Sequence, residues 1–278
     1  MQRGSYTFGD SDLAAERLAL VAEVFDAPSR RFLGEAGAAL TESPSLAVDL
    51  GCGPGRTTRL VAELTGAART VGIDASASFL AEATRLSGGD GIEFVEHDVT
   101  SVPFPVGPAD LVYCRLLLAH LPEPAAIVDR WMTQVRPGGV LAVDEVEFID
   151  TPHPVLARYE ELVVALVASR GALMYAGPVI DAMPDGDGWQ REATTLIEHL
   201  VPLALAARMY GMNFRTWRDD PAITANCSQE DLDQLAADLA ELAAPEAHGG
   251  DTPVRWGLRQ ALIRRTGQTT QSAKGDNR

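Results

Sequence analysis

Apolar residues along this 278-residue chain follow two different periods, and the change from one to the other organises it. Leu13, Leu18, Leu20, Val21, Val24 and Phe25 recur at helical spacing, which predicts a helix from Asp12, capped by Ser11 or by Asp12 itself. Residues 1–10 before it are polar and expected to be irregular. A second helix is expected over residues 29–40, ending ahead of Pro44. At Leu46 the pattern switches to short apolar runs separated by helical stretches. Strands are predicted over residues 46–50, 70–74, 92–96, 110–114 and 140–146, and helices over 56–65, 77–86 and 124–135. The third strand leads to the fourth through a loop holding Asp98, Pro103 and Pro105. Strands alternating with helices at this spacing build right-handed parallel βαβ units, and so a doubly wound, mostly parallel α/β sheet.

The second half is less regular. Helices are predicted over residues 154–173 and 178–183, a strand over 194–203, a helical stretch over 205–245 and a closing strand over 256–263. Within the helical stretch, Ser228 three residues ahead of Asp231 forms a capping pattern before Leu232, Leu235, Leu239 and Leu242. Residues 266–278 are polar and expected to be disordered. There is no internal repeat and no linker rich enough in Pro, Gly or Ser to force a second domain. The expected organisation is an N-terminal helical cap (1–45), a main domain (46–265) with helical insertions at about 154–187 and 205–245, and a tail (266–278).

Chemistry enters at the first strand, which runs into Gly51-Cys52-Gly53-Pro54-Gly55. A strand, a glycine-rich turn and a helix open a nucleotide-type site, because glycine turns the backbone sharply and lets a ligand approach closely. The spacing is G-x-G-x-G with Asp49 just before it, whereas the dinucleotide fingerprint is G-x-G-x-x-G. About twenty residues past the glycines, Asp74 ends the second strand in Val71-Gly72-Ile73-Asp74-Ala75-Ser76. An acid there can accept hydrogen bonds from both hydroxyls of a ribose, or cap the next helix, as Ser76 also can. Three more segments follow: Phe94-Val95-Glu96-His97-Asp98-Val99, then Ala109 to Arg115 with Leu116-Leu117-Leu118-Ala119-His120-Leu121-Pro122, then Val135-Arg136-Pro137-Gly138-Gly139-Val140-Leu141.

These five segments, in this order over residues 46–146, resemble the class I S-adenosylmethionine-dependent methyltransferases of the bacterial small-molecule type. The resemblance implies a Rossmann-like seven-stranded sheet whose last strand is antiparallel, with the helical segment before it as a substrate lid. It implies S-adenosylmethionine as cofactor and S-adenosylhomocysteine as product, and an in-line displacement of the methyl group for which the protein supplies alignment and a dry site. The implied cofactor contacts are Asp49, Gly51, Gly53, Gly55, Asp74, Ala75, Asp98, Val99 and Arg115. Asp98 would meet the exocyclic amine of adenine, and Val99 would lie against the ring. The N-terminal Tyr6-Thr7-Phe8-Gly9 and the late Trp256-Gly257-Leu258-Arg259 are similar to bacterial members acting on metabolites, often in secondary metabolite biosynthesis. By that similarity Tyr6 would close over the cofactor.

Charge narrows the partners. A formal net charge of −16 opposes a nucleic-acid surface or an anionic membrane face, leaving a small-molecule acceptor. Cys52, Cys114 and Cys227 are scattered, without C-x-x-C pairing or His at metal spacing, so no metal is assigned, and Cys52 and Cys114 are expected to be small buried fillers. No apolar run is long enough to span a bilayer, and no signal peptide is expected. A cytoplasmic monomer or homodimer is the expectation.

An acceptor hydroxyl would be helped by a general base near the ends of strands four and five. The candidates there are His120, Asp144, Glu145 and Glu147, with His153 just beyond; His120 and Glu145 are chosen as catalytic. Strand alternation turns Asp144 and Glu145 to opposite faces, so at most one points into a pocket. Met174, Tyr175, Met183, Met209, Tyr210, Met212, Phe214 and Trp217 are apolar enough to line an acceptor pocket, although packing of insertion helices explains them equally. The alternative is a protein that keeps the fold and binds S-adenosylmethionine for another reaction or for binding alone. A nicotinamide oxidoreductase is disfavoured by the glycine spacing and by the absence of a helical Tyr/Lys pair, since Lys274 in the tail is the only lysine.

Overall fold

The computed structural model describes residues 12–244 and 252–267, so the predictions for residues 1–11 and for most of the tail fall outside the described residues. Two helices come first, α1 (Asp12–Val24) and α2 (Asp26–Ala38). The alternating part follows as β1 (Leu46–Leu50), α3 (Arg56–Thr65), β2 (Arg69–Asp74), α4 (Ala77–Ser87), β3 (Ile92–Glu96), β4 (Ala109–Arg115), α5 (Pro124–Met132) and β5 (Val135–Asp150). The remainder is α6 (Pro154–Ser169), α7 (Gly177–Ala182), β6 (Trp189–Val201), α8 (Leu203–Trp217), α9 (Pro221–Thr224), α10 (Gln229–Leu242) and β7 (Val254–Arg265).

All seven strands form one sheet in the order β3-β2-β1-β4-β5-β7-β6. The first five are parallel, and β7 runs antiparallel to both β5 and β6. The doubly wound, mostly parallel seven-stranded arrangement is therefore present. β1 is buried along its whole length because both its faces are covered, which is why it reads as an unbroken apolar run. Alternation sorts β4: Leu111 and Tyr113 pack with Phe32 and Leu33 of α2 and Val61 of α3, whereas Val112 and Cys114 pack with Ile127 and Trp131 of α5. A third apolar cluster joins α1, α6, α8 and α10 to the start of β7, through Leu20, Leu166, Phe214, Leu239 and Trp256.

Several boundaries differ from the sequence expectation, each for a local reason. α2 begins three residues early, since Pro28 lies in its first turn, where proline's missing N–H costs nothing. The turn at residues 136–139 is a bulge inside one long β5: Ala109 pairs with Val135 and Leu111 with Val140. The single helical stretch expected over 205–245 is three helices. Asp220 caps α9 on the Ala222 N–H, and Ser228 caps α10 on the Asp231 N–H, as the capping pattern foretold.

Candidate functional site

Strand order fixes the place of the site. From β1 the chain crosses to β2 on one side, while β4 crosses to β5 on the other, so a crevice opens beyond the carboxyl ends of β1 and β4. A cavity of about 1160 Å³ fills that crevice and continues under α1, α6 and α8.

On the sheet side β1 delivers Asp49, whose carboxylate is buried and accepts the Thr57 and Thr58 hydroxyls at 2.7 and 2.8 Å. Burial raises this carboxyl to about 6, although the two hydroxyls and Arg115 pull it down. Arg115, at the end of β4, is on the same wall and donates to the Ser29 hydroxyl at 2.9 Å. Opposite charges thus stand side by side at the end of the two central strands.

In the glycine turn, the N–H groups of Gly51 and Cys52 both donate to the Ile73 carbonyl. Gly51 has φ +65°, and a Cβ there would sit 2.7 Å from Leu117 Cδ1, so only glycine serves. Gly51 and Gly53 reach the cavity wall, but Gly55 does not. Gly55, at φ +79°, lets the start of α3 close on the Phe94 ring, 2.7 Å from where a Cβ would be. Packing against Phe94 thus demands glycine at this position in its own right.

Asp74 serves the loops on both sides. One oxygen accepts the Gly53 N–H at 2.9 Å and the other the Ser76 N–H at 2.8 Å, while the Ser76 hydroxyl caps α4 on the Phe79 N–H. Ala75 and Asp98 line the cavity as well, the Asp98 carboxylate organising its own turn through the Thr100 N–H and hydroxyl. Val99 is on the wall and nearly buried, held by the Trp131 indole N–H donating to its carbonyl at 2.8 Å. The aspartates, Ala75 and Val99 therefore converge from three separate strand ends. Tyr6 lies outside the described residues.

The general-base candidates fare differently. Glu145 is fully buried and does not reach the cavity; one oxygen accepts the N–H groups of Leu117 and Leu118, both at 2.7 Å. Burial raises its carboxyl to about 8 in spite of those bonds. Its place is beneath the segment after β4, which it holds in position, and the choice of Glu145 as a base at the acceptor is corrected accordingly. Asp144 is buried on the opposite face beside Gln260, Glu147 is bidentate to Arg259, and His153 sits at the start of α6. His120 does line the cavity, in a short turn over Leu118–His120. Burial, with Arg17 and Arg170 nearby, lowers its imidazole to about 3, so the ring is neutral and holds a proton weakly. It offers a hydrogen bond, which is less than the full proton acceptance expected of it.

The far half of the cavity is built by α1, α6, α8 and the start of β7. Val21, Phe25, Tyr159, Val163, Met174, Met209, Tyr210 and Trp256 form its walls, with Arg17, Glu160 and Asn213 as polar members. Of the apolar residues singled out from sequence, Met174, Met209 and Tyr210 line it, whereas Met183, Phe214 and Trp217 are core. Glu160 escaped the sequence reading although a signal existed. It sits on the buried stripe Leu156, Glu160, Val163, Val167 of α6, an acid where only apolar residues belong.

Among the described residues no group of three or more His, Cys, Asp or Glu could hold a metal ion, and no helix is long and apolar enough to cross a membrane. Cys52 and Cys114 are buried, and burial pushes both thiols well above their usual range.

Comparison with known proteins agrees with this geometry. Residues 48–143 match the methyltransferase domain family. A trans-aconitate 2-methyltransferase of Methylobacterium nodulans is 30% identical over 216 residues, covering 74% of this chain and 82% of that protein. A chain of known structure from Bacillus halodurans C-125 superposes with a TM-score of 0.57 at 16% identity, over 87% of this chain and 100% of that one. Coclaurine N-methyltransferase, solved with N-methylheliamine and S-adenosylhomocysteine, gives 0.54 at 16% identity, over 95% and 77%. The two structural likenesses share the fold.

Proposed function

The chain belongs to the class I S-adenosylmethionine-dependent methyltransferases, and on that premise we propose that the cavity at the strand ends seats cofactor and acceptor end to end. It is an enzyme that transfers a methyl group to a small molecule. The observation carrying the proposal is size with division of lining. A single-ligand pocket measures roughly 300–1,000 Å³, and this cavity, at about 1160 Å³, has a polar half at the strand ends and an aromatic half under the helices.

The cofactor fits the polar half residue by residue. Asp49 and Arg115 offer a negative and a positive partner to the ammonium and carboxylate of a methionine tail. Asp74 stands where ribose hydroxyls donate, with its carboxylate already oriented by two backbone N–H groups. Asp98 and Val99 present an acceptor and an apolar face for adenine. When bound, S-adenosylmethionine supplies a methyl group already activated on a sulfonium. The chain's residues have three remaining tasks: to hold the acceptor in line, to exclude water and to keep the pocket's charges fixed. Glu145 serves the second and third by clamping the N–H groups of Leu117 and Leu118. His120 contributes a neutral hydrogen-bonding ring at the junction of the two halves.

For the acceptor we propose a mostly apolar molecule matched to Phe25, Tyr159, Val163, Met209, Tyr210 and Trp256. A second reading has one observation in its favour: Arg17, buried on the same wall, suits a carboxylate, and the relative from Methylobacterium nodulans is named for the tricarboxylate trans-aconitate. The net charge of −16 supports a small-molecule acceptor over a nucleic acid or an anionic membrane, and the proposed setting is the cytoplasm, as monomer or homodimer.

Calorimetric titration with S-adenosylhomocysteine, before and after replacing Val163 by Trp, tests the division of the cavity. The bulky residue should leave cofactor affinity within twofold while abolishing turnover of any acceptor found by release of S-adenosylhomocysteine. A joint loss of both would show that the halves are not separate.

A further inference from the structure

The polar groups of the aromatic half face it with acceptors. Glu160 is 8% exposed, and its two oxygens accept the Tyr210 hydroxyl at 2.9 Å and the Tyr175 hydroxyl at 3.1 Å. Each carboxylate oxygen can accept a second hydrogen bond, and the residue lines the cavity. Asn213, which also lines the cavity, donates through its amide N–H to the Tyr159 hydroxyl at 2.7 Å, and its carbonyl oxygen is buried with no protein partner. The Tyr210 and Tyr159 rings stack at 4.3 Å and 14°, while Phe25 and Trp256 meet edge to face at 5.0 Å. The aromatic walls thus include a carboxylate with spare acceptor capacity and an asparagine whose amide oxygen has no donor from the protein.

Buried acceptors left without a donor cost free energy, whereas a ligand that donates to them recovers it. A ligand carboxylate supplies no donor and sets a second negative charge against Glu160. Against that stands one guanidinium, Arg17, the only one among the described residues lining this half, where a tricarboxylate would need several. Burial also raises the Glu160 carboxyl to about 7, so discrimination against a carboxylate is fullest above that value, where Glu160 is the anion.

We propose that Glu160, steadied by Tyr175 and Tyr210, and Asn213 form the selective end of the acceptor chamber, which takes a flat, uncharged, largely apolar molecule presenting a hydroxyl or amino donor and turns away polycarboxylates. This rests on the reading that the aromatic half receives the acceptor. It makes Glu160 a specificity-determining residue and separates this chain's acceptor from the one that names its relative.

Four probes test it on the full chain saturated with S-adenosylhomocysteine: 2-naphthol, 2-naphthylamine, 2-naphthoate and trans-aconitate, titrated by calorimetry at pH 8. At least one of the two donor probes should bind ten times more tightly than 2-naphthoate, and trans-aconitate more weakly still. Glu160→Gln should cut the donor-to-naphthoate ratio at least tenfold while leaving affinity for S-adenosylhomocysteine within twofold. Should that variant fold poorly, Asn213→Ala should weaken the donor probes three- to tenfold and leave 2-naphthoate within twofold. Tighter binding of trans-aconitate or 2-naphthoate overturns the proposal, as does an unchanged ratio in both variants or a wild type that takes neither donor probe. Loss of S-adenosylhomocysteine binding in the wild type would instead overturn the placement of the cofactor.

Discussion

Asp74 and Gly53, 21 residues apart, are joined by a 2.9 Å hydrogen bond from the Gly53 N–H to the Asp74 carboxylate. The acid expected to receive a ribose is thus also the group that fixes the glycine turn beside it. Asp74→Ala removes both functions. Hydrogen bonds to a charged group contribute about 1.5–3 kcal/mol each, so affinity for S-adenosylhomocysteine should fall roughly 100-fold or more. Calorimetry gives the answer directly; a dissociation constant within threefold of wild type would leave Asp74 as a turn residue only.

The glycines should separate by role. Gly55→Ala places a methyl 2.7 Å from the Phe94 ring at φ +79°, away from the cavity. It should destabilise the fold by about 1–3 kcal/mol, read as a lower urea midpoint with an unchanged slope, and should leave cofactor affinity of the folded protein nearly intact. Gly53→Ala meets only Leu18, at 3.4 Å, but sits on the cavity wall at φ +50°. Its larger effect should be on cofactor binding. If both variants lost affinity equally at equal stability, the distinction would fail.

Stability of the ligand-free protein should fall as pH rises from about 5 to 8. Asp49 and Asp144 are raised to about 6 and Glu145 to about 8, each chiefly by burial. A carboxyl raised in the folded state binds its proton more tightly there than in the unfolded chain. Its stabilisation is therefore complete below the unfolded value and is lost as pH climbs through the folded one. Glu145→Gln keeps an oxygen for the N–H groups of Leu117 and Leu118 and removes the titration. Urea unfolding of the two proteins should show stabilities that converge on neither side of this window but differ increasingly in favour of the variant from pH 6 to 8. A constant difference across the range would mean that Glu145 is not shifted.

His120→Asn should lower turnover without moving its pH profile. The imidazole titrates near 3, so it does not change charge between pH 5 and 9. Any limb in the profile of kcat/KM over that range belongs to another group, and it should persist in the variant. Disappearance of such a limb would show that His120 titrates near neutrality and accepts the proton after all.

The sequence by itself determined the alternating half of the chain. Leu46–Leu50 is legible because a strand covered on both faces is apolar at every position. Gly51 and Gly53 are legible because positive φ is a local demand that few other residues meet. Ser76 and Ser228 announce their helices because a cap bonds only two or three residues ahead. Asp74 is legible from its place at the carboxyl end of β2, whereas Asp98 is singled out only by the resemblance to the methyltransferases. Only the tertiary structure decided which way the remaining groups face. Glu145 and Glu147 are two residues apart on one strand, yet one clamps backbone N–H groups and the other pairs with Arg259, 112 residues away. The aromatic chamber draws on Arg17, Glu160, Asn213 and Trp256 from four separate elements. No periodicity encodes such a meeting, because burial of an acid is decided by what packs over it, and those neighbours arrive only when the chain has closed.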